Sequence, residues 1–262
     1  MSFVLEDFVP EGPEVKKIGE NLARLISGKT LISAEILSGR YIKKEPSGWK
    51  DLQMQLPLKI VGPGVHGKFC YWICDNETFV YSTLGLTGNW SSKKSKHSRL
   101  GFTFSGGVSI FYNDQRNFGT FKVVRGKHNI LEKLKSLGPD MLSEDVSDKL
   151  FISRIKTKPN WGITKALMDQ SIIAGVGNYI KSDSLWLSQI SPHKKVCDLS
   201  DGELAVLNRS IKRVMNESYQ NHSYNNGKFL IYGKSKDPDG NEVIKEQTDD
   251  KRSTYWVPEV QK

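Results

Sequence analysis

The sequence predicts an α+β chain, with an N-terminal antiparallel β-sandwich entered through an amphipathic first helix, then a helical domain and a closing β-hairpin. Three observations carry this. Near the start, Val15, Ile18, Leu22, Leu25 and Ile26 fall on one helical face. Seven short segments rich in β-branched and aromatic residues follow. From about residue 141 the apolar spacing becomes helical.

The first helix opens at Pro13, whose fixed φ suits a first turn, and Gly28 supplies the stop. Strand patterns lie at 31–37, 58–65, 68–74, 79–86, 100–104, 108–112 and 118–124, with Ser105, Gly106 and Gly107 as a hairpin turn between two of them. The stretch Leu137, Gly138, Pro139, Asp140 marks the change of character. Helix patterns follow at 149–155, 164–170, 178–188 and 202–219, the last opened by Ser200, Asp201, Gly202 and Glu203 with capping-box spacing. From residue 228 short strand patterns return around a turn at Asp237, Pro238, Asp239 and Gly240. The domains read this way are 10–140, 141–225 and 226–262.

With 262 residues the chain can bury a substantial core and accommodates two modest domains. Cys70, Cys74 and Cys197 form an odd set without a C-x-x-C pair, which reads as reduced thiols in an intracellular protein without structural zinc. Residues 1–9 carry Glu6 and Asp7 and no long apolar run, which argues against a signal peptide or membrane anchor. A net charge of +9 favours a polyanionic partner, although a solvated lysine-rich surface gives the same count.

Two stretches carry chemistry. Pro10, Glu11, Gly12, Pro13, Glu14 and Val15 place carboxylates beside a proline. At a chain terminus proline is a secondary amine, its α-amino group titrating at about 8, and it can attack an electrophilic sugar carbon while carboxylates move the protons. The alternative is structural, with Pro13 in the first helical turn and Glu11 and Glu14 complementing the helix dipole. The second stretch, Gln170 to Asn178, joins two helices through a glycine-bearing double turn whose amides suit a phosphate. It is no dinucleotide fingerprint, since Ile180 stands where the third glycine belongs and no strand precedes it.

With these residues in view, the chain resembles the formamidopyrimidine-DNA glycosylase and endonuclease VIII family from Pro10 to Lys262. Besides those two stretches, Gly67, Lys68 and Phe69 resemble the family's hairpin lysine, and 251–255 resembles the tip of its C-terminal finger. The resemblance implies a helix-two-turn-helix domain and a bifunctional enzyme that removes oxidised bases and cuts the strand at the abasic site, without a cofactor. Pro10 would be the Schiff-base nucleophile, Glu11 the proton donor to the deoxyribose, and Glu14 a residue that places the sugar. Lys68 would contact the phosphate beside the lesion and assist elimination, and Arg252 would promote the second elimination. Such an enzyme extrudes its target base and plugs the gap. Leu86, Arg116 and Phe118 match the plug positions, and His97, Asn178, Gly175 and Gly177 match DNA contacts. The partner implied is damaged double-stranded DNA with a flipped-out base, bound by a monomer.

The chain also departs from the family. Its finger lacks the four cysteines of many relatives, which excludes zinc there and leaves Trp256, Val257 and Val260 to hold the hairpin. Asp183 stands where glutamate is usual and Thr164 at a frequent lysine position, changes expected to weaken phosphate or helix-end contacts. The short link over 219–228 favours the endonuclease VIII side, hence oxidised pyrimidines over 8-oxoguanine. Finally, residues 1–9 make the Pro10 nitrogen an amide without a lone pair for attack. A GTG start codon at Val9 or proteolytic trimming would expose it. Otherwise Lys68 supplies the amine, or the chain is a non-catalytic damaged-DNA-binding protein. Ribonucleoprotein motifs that would indicate RNA binding are not found.

Overall fold

The computed structural model describes residues 10–220 and 229–262, so the short link over 219–228 lies largely outside the described residues. These residues form two compact units, one gathering Pro10 with Glu14–Lys135 and the other Glu11–Pro13 with the chain from Ser136 onward.

The first unit is built on α1 (Gly12–Ile26) and eight strands. Val15, Ile18, Leu22 and Ile26 are buried as their spacing predicts. Glu14 in the first turn of α1 and Arg24 in the last match the helix dipole, and Gly28 reverses the chain at a φ of 73°. The strands are β1 (Thr30–Ile36), β2 (Leu58–His66), β3 (Phe69–Cys74), β4 (Thr78–Thr83), β5 (Gly88–Ser91), β6 (Ser98–Phe104), β7 (Val108–Asp114) and β8 (Thr120–Arg125). They pair antiparallel in the order β5-β7-β6-β1-β2-β3-β4-β8. Only Thr30↔Lys59 and Leu31↔Leu58 join β1 to β2, so the sheet folds into two four-stranded layers at that junction. Across them Trp72 of β3 meets Trp90 of β5 at 4.9 Å and Phe102 of β6 at 5.2 Å. This aromatic core closes the sandwich.

Four elements of this unit lack a sequence signal. The helices α2 (Arg40–Lys43) and α3 (Trp49–Met54) are too short to show a period, and α4 (Lys127–Lys135) buries only Ile130. The strand β5 spans four residues without clean alternation. Conversely, the strand patterns at 79–86 and 118–124 overrun. β4 stops at Thr83 and β8 begins at Thr120, because Gly85 and Asn117 turn the chain at φ of 60° and 56°. Leu86 and Phe118 therefore lie in loops rather than on strands.

The second unit holds α5 (Asp148–Ile155), α6 (Ile163–Met168), α7 (Asn178–Leu187), α8 (Asp201–Gln220) and the hairpin β9 (Ile244–Gln247) and β10 (Ser253–Trp256). Phe151, Leu167, Tyr179, Leu207 and Ile211 are among the residues of its core. Asp183 is fully buried and accepts the amides of Leu230, Ile231 and Tyr232 at 2.8, 3.0 and 3.0 Å. The shorter acid thus anchors the segment entering the hairpin. Thr164 is wholly buried on α6. Asp237 fixes the turn by accepting the amides of Asp239 and Asn241 at 3.0 and 2.8 Å and the indole of Trp186 at 3.3 Å. Ile231, Val243 and Val257 form a small core beneath the hairpin, with Trp186, Tyr255 and Val260 packed against it.

The α8 start is the capping box the sequence announces, the Ser200 amide donating to Glu203 Oε2 at 2.8 Å and the Glu203 amide to Ser200 Oγ at 3.2 Å. The Lys194 ammonium and the Ser200 donors pull the Glu203 carboxyl down from 4.5 to about 2. A depressed carboxyl contributes stability above its unfolded value and loses it as pH falls through the folded one. Replacing Ser200 by Ala should cost about 1 kcal/mol in urea denaturation at neutral pH. Glu203→Gln should flatten the decline in stability between pH 4.5 and about 2.

Candidate functional site

Gln170 braces the double turn between α6 and α7 from within. Gln170 donates from Nε2 to the Met168 and Val176 carbonyls at 3.1 and 3.0 Å, and its Oε1 accepts the Gly175 amide at 3.0 Å. Gly175, at a φ of 101°, reverses the chain. Its carbonyl accepts the Gly12 amide at 2.9 Å. The Gly175 N–H, expected to face a phosphate, therefore points at Gln170. Gly177 precedes α7, and a Cβ there would lie 2.1 Å from Glu11 Cδ. Only glycine admits the carboxylate so close.

Glu11 is 2% exposed, and its two oxygens accept the Tyr179 and Ile180 amides at 3.0 and 3.3 Å. A carboxylate on the free amides of a helix N-terminus satisfies donors with no intrahelical partner and lies at the positive end of the dipole. Pro10, directly before it in the chain, is buried. Glu14 is buried in the first turn of α1. Burial lowers the Lys17 ammonium, against which Glu14 and Glu20 raise it. Lys68 is half-buried in the turn joining β2 to β3, after Gly67 at a φ of 56°. Burial pushes the Cys70 and Cys74 thiols up to about 12, so neither offers a thiolate at neutral pH.

Leu86, Arg116 and Phe118 come from two loops that the fold ties together. Thr87 Oγ1 donates to Asp114 Oδ1 at 2.7 Å and accepts the Arg116 amide at 3.0 Å, while Asp114 Oδ2 accepts the Gly119 amide at 2.8 Å. Gly85 lies so close that a Cβ would meet the Gly119 nitrogen at 2.7 Å. Phe118 is 56% exposed, with the Arg116 guanidinium 4.8 Å from its ring centre. Leu86 is half-buried in the neighbouring turn. His97 lies at the start of β6, half-buried, and its carbonyl accepts the Asp114 amide at 2.9 Å.

Asn178 opens α7 and donates from Nδ2 to the Ser253 carbonyl at 2.8 Å, so it is bonded to the hairpin that carries Arg252. Arg252 is exposed at the hairpin tip after Lys251, which turns the chain at a φ of 58°. Beneath it lies an ion pair that sequence reasoning missed. Lys181 Nζ lies 2.6 Å from Asp250 Oδ2, with both side chains buried. Asp250 Oδ1 accepts the Thr248 hydroxyl at 2.7 Å and the Arg252 amide at 3.3 Å. Burial draws the Lys181 ammonium below its ordinary value, Asp250 and Glu11 oppose this, and Arg252 adds to it. Glu11, Lys181, Asp250 and Arg252 thus share one electrostatic neighbourhood. No local signal announces it, since the two partners lie 69 residues apart in the chain. The hairpin and its approach, 229–262, contain no cysteine or histidine.

Comparison with known proteins covers nearly the whole chain. The formamidopyrimidine-DNA glycosylase N-terminal domain model matches residues 9–121, the H2TH domain model of the same enzyme 137–226, and its C-terminal domain model 222–262. The formamidopyrimidine-DNA glycosylase of Mycoplasma mobile is 33% identical over 219 residues, covering 80% of this chain and 77% of that protein. That of Halalkalibacterium halodurans is 29% identical over 216 residues, 80% of this chain and 78% of that protein. The Lactococcus lactis enzyme, solved non-covalently bound to DNA containing an AP site, superimposes with a TM-score of 0.85 at 26% identity, over 97% of this chain and 100% of that one. A MutM complex with DNA containing carbocyclic 8-oxo-G gives 0.83 at 26% identity, over 97% and 100%.

Asp250→Asn leaves the Lys181 ammonium buried without its counter-charge and should cost about 3 kcal/mol in urea denaturation. The joint replacement Lys181→Met with Asp250→Leu should be close to neutral, which double-mutant analysis of the same curves reads directly.

Proposed function

The chain belongs to the formamidopyrimidine-DNA glycosylase family, and on that premise we propose that it is a bifunctional DNA glycosylase and abasic-site lyase that excises oxidised bases from duplex DNA. The observation that supports this most is the carboxylate of Glu11, next in the chain to Pro10 and bonded to two amides at the head of α7. A proton-transfer group beside a nucleophile has to be held in place, and this one is.

The proposed reaction starts with Pro10 as a free secondary amine. Its lone pair attacks C1′ of the extruded nucleotide, the glycosidic bond breaks, and the base leaves with the bonding pair and takes a proton from water. The Glu11 carboxylate takes the proton that the attacking nitrogen sheds and passes it to the ring oxygen, the sugar opens, and the nitrogen's second bond to C1′ gives an iminium ion. That cation acidifies the C2′ hydrogen, so its removal expels the 3′ phosphate, and a second elimination expels the 5′ phosphate. Lys68 and Arg252 serve these eliminations at the phosphates, and Glu14 places the sugar. Leu86, Arg116 and Phe118 fill the gap left in the duplex, and His97, Asn178 and the turn at Gly177 grip the backbone, the Gly175 amide being engaged by Gln170. The working form is a monomer at intracellular DNA, with a catalytic domain over 10–140, a DNA-binding domain over 141–225 and a zincless hairpin over 226–262.

The mechanism requires a chain that starts at Pro10. The family match starting at residue 9 supports this, since it includes a single residue ahead of the proline. Borohydride trapping on abasic DNA, followed by mass mapping of the crosslink, should find the adduct on Pro10 of a chain lacking residues 1–9. An adduct on Lys68, or none, removes the proline mechanism and favours the damaged-DNA-binding alternative.

For the lesion, the short link over 219–228 supports oxidised pyrimidines as preferred substrates. The solved neighbours support a second reading, since one holds carbocyclic 8-oxo-G and another Fapy-dG, both purine lesions. Single-turnover excision should run faster on an oxidised pyrimidine than on 8-oxoguanine opposite cytosine. Equal or reversed rates establish the second reading.

A further inference from the structure

We propose that Arg40 and Arg99 are positioning residues that clamp the loop over 114–119 in the conformation that enters the duplex. The proposal rests on the reading of Arg116 and Phe118 as gap-filling residues. Four carbonyls of this short loop are taken by the two guanidinium groups. Arg99 donates from Nε to the Asp114 carbonyl at 2.8 Å and from one terminal nitrogen to that of Gln115 at 3.2 Å. Arg40 donates to the Asn117 carbonyl at 3.0 Å and to that of Gly119.

The clamp is itself fixed. Arg99 is 9% exposed, and its other terminal nitrogen donates to Ser38 Oγ at 2.8 Å, a hydroxyl that donates in turn to the Ser98 carbonyl at 2.6 Å. Arg40 also reaches the Tyr41 hydroxyl at 3.0 Å. Between the two arginines, Gly39 sits at a φ of 74°, and a Cβ there would lie 2.5 Å from Asn117 Oδ1 and 2.7 Å from Arg99 Cδ. Glycine therefore lets the 38–40 segment press against the loop.

This geometry meets a specific demand. A loop that inserts an aromatic ring into stacked bases has to keep its shape while the duplex resists. Its side chains do not supply that stiffness, because Phe118 is 56% exposed. The backbone carbonyls can, and charge-assisted bonds from planar, forked donors are the strongest type available to them. Lysine in place of either arginine keeps the charge and loses the fork.

The test uses duplex DNA with 2-aminopurine opposite a tetrahydrofuran abasic analogue, so that fluorescence reports entry of the plug. At saturating enzyme, Arg40→Lys and Arg99→Lys should slow the fluorescence rise about tenfold or more, alongside Phe118→Ala. Equilibrium affinity should change much less, since phosphate contacts carry most of it. If Phe118→Ala rises at the wild-type rate, the gap-filling reading fails and the clamp with it. If Phe118→Ala is slow while both lysine variants rise at the wild-type rate, the clamp alone is wrong. If affinity and rate fall together, the arginines are merely structural and the proposal is overturned. Arg40 lies on the surface, so its variant decides the matter should Arg99→Lys fail to fold.

Discussion

The constraint on which the functional region depends is the fit of one carboxylate to one helix end. Glu11 meets the Tyr179 and Ile180 amides, and everything around it is arranged to let that happen. Gly177 has no Cβ because the Glu11 carboxyl occupies the space, and Gln170 braces the double turn so that α7 starts where it does. The Gly12 amide on the Gly175 carbonyl adds a backbone tie one residue on. The residue beside Pro10 is therefore held by four features, each drawing on a segment more than 150 residues away in sequence. Unpaired amides and the dipole at the head of the helix offset the burial of Glu11, and the nearby Lys181 ammonium adds to them.

The same solution recurs in the second unit, where buried carboxylates do what a metal does elsewhere in small hairpins. Asp183 gathers three successive amides, Asp237 shapes a turn, and Asp250 joins Lys181 to the hairpin tip. Each acid satisfies donors that would otherwise be buried alone, and bonds to a charged acceptor contribute about 1.5–3 kcal/mol apiece. A metal supplies comparable cross-linking through one centre. Here it is distributed, so losing one acid loosens one corner of the hairpin rather than releasing all of it.

How much of this could be read from the sequence follows from the range of each interaction. The α1 stripe, the sandwich strands and the α8 capping box are local patterns with a period or a fixed spacing, and they were legible. Glycines at Gly28 and Gly175 were legible because each allows a left-handed turn that other residues resist. The short helices α2 and α3 were not, since four and six residues carry no period. Long-range partners were not legible either. Lys181 and Asp250 are 69 residues apart, and nothing local marks either as half of a pair. Asp183 was noticed as a departure, but its partners were not legible, because they are amides 47 to 49 residues later. Leu86 and Phe118 were read within strand patterns, whereas positive φ at Gly85 and Asn117 puts both on loops.

That last difference bears on function. A strand residue in a sandwich is half-buried by its neighbours, and a phenylalanine there needs no further explanation. A phenylalanine 56% exposed on a loop is different, because more than half of it is left to solvent while the Arg116 guanidinium lies over its ring. Exposing that ring forgoes most of the stabilisation its burial would bring, about 1.5–3 kcal/mol. Meanwhile the loop beneath it is among the most thoroughly bonded backbone in the first unit, with Asp114, Thr87, Arg40 and Arg99 all engaged. Rigid support under an unburied aromatic side chain is the opposite of what stability alone selects, since a floppy loop could fold the ring inward. The arrangement makes sense if the ring's burial partner is outside the protein, and a stacked base pair is the partner whose shape and chemistry suit a flat apolar wedge flanked by a cation.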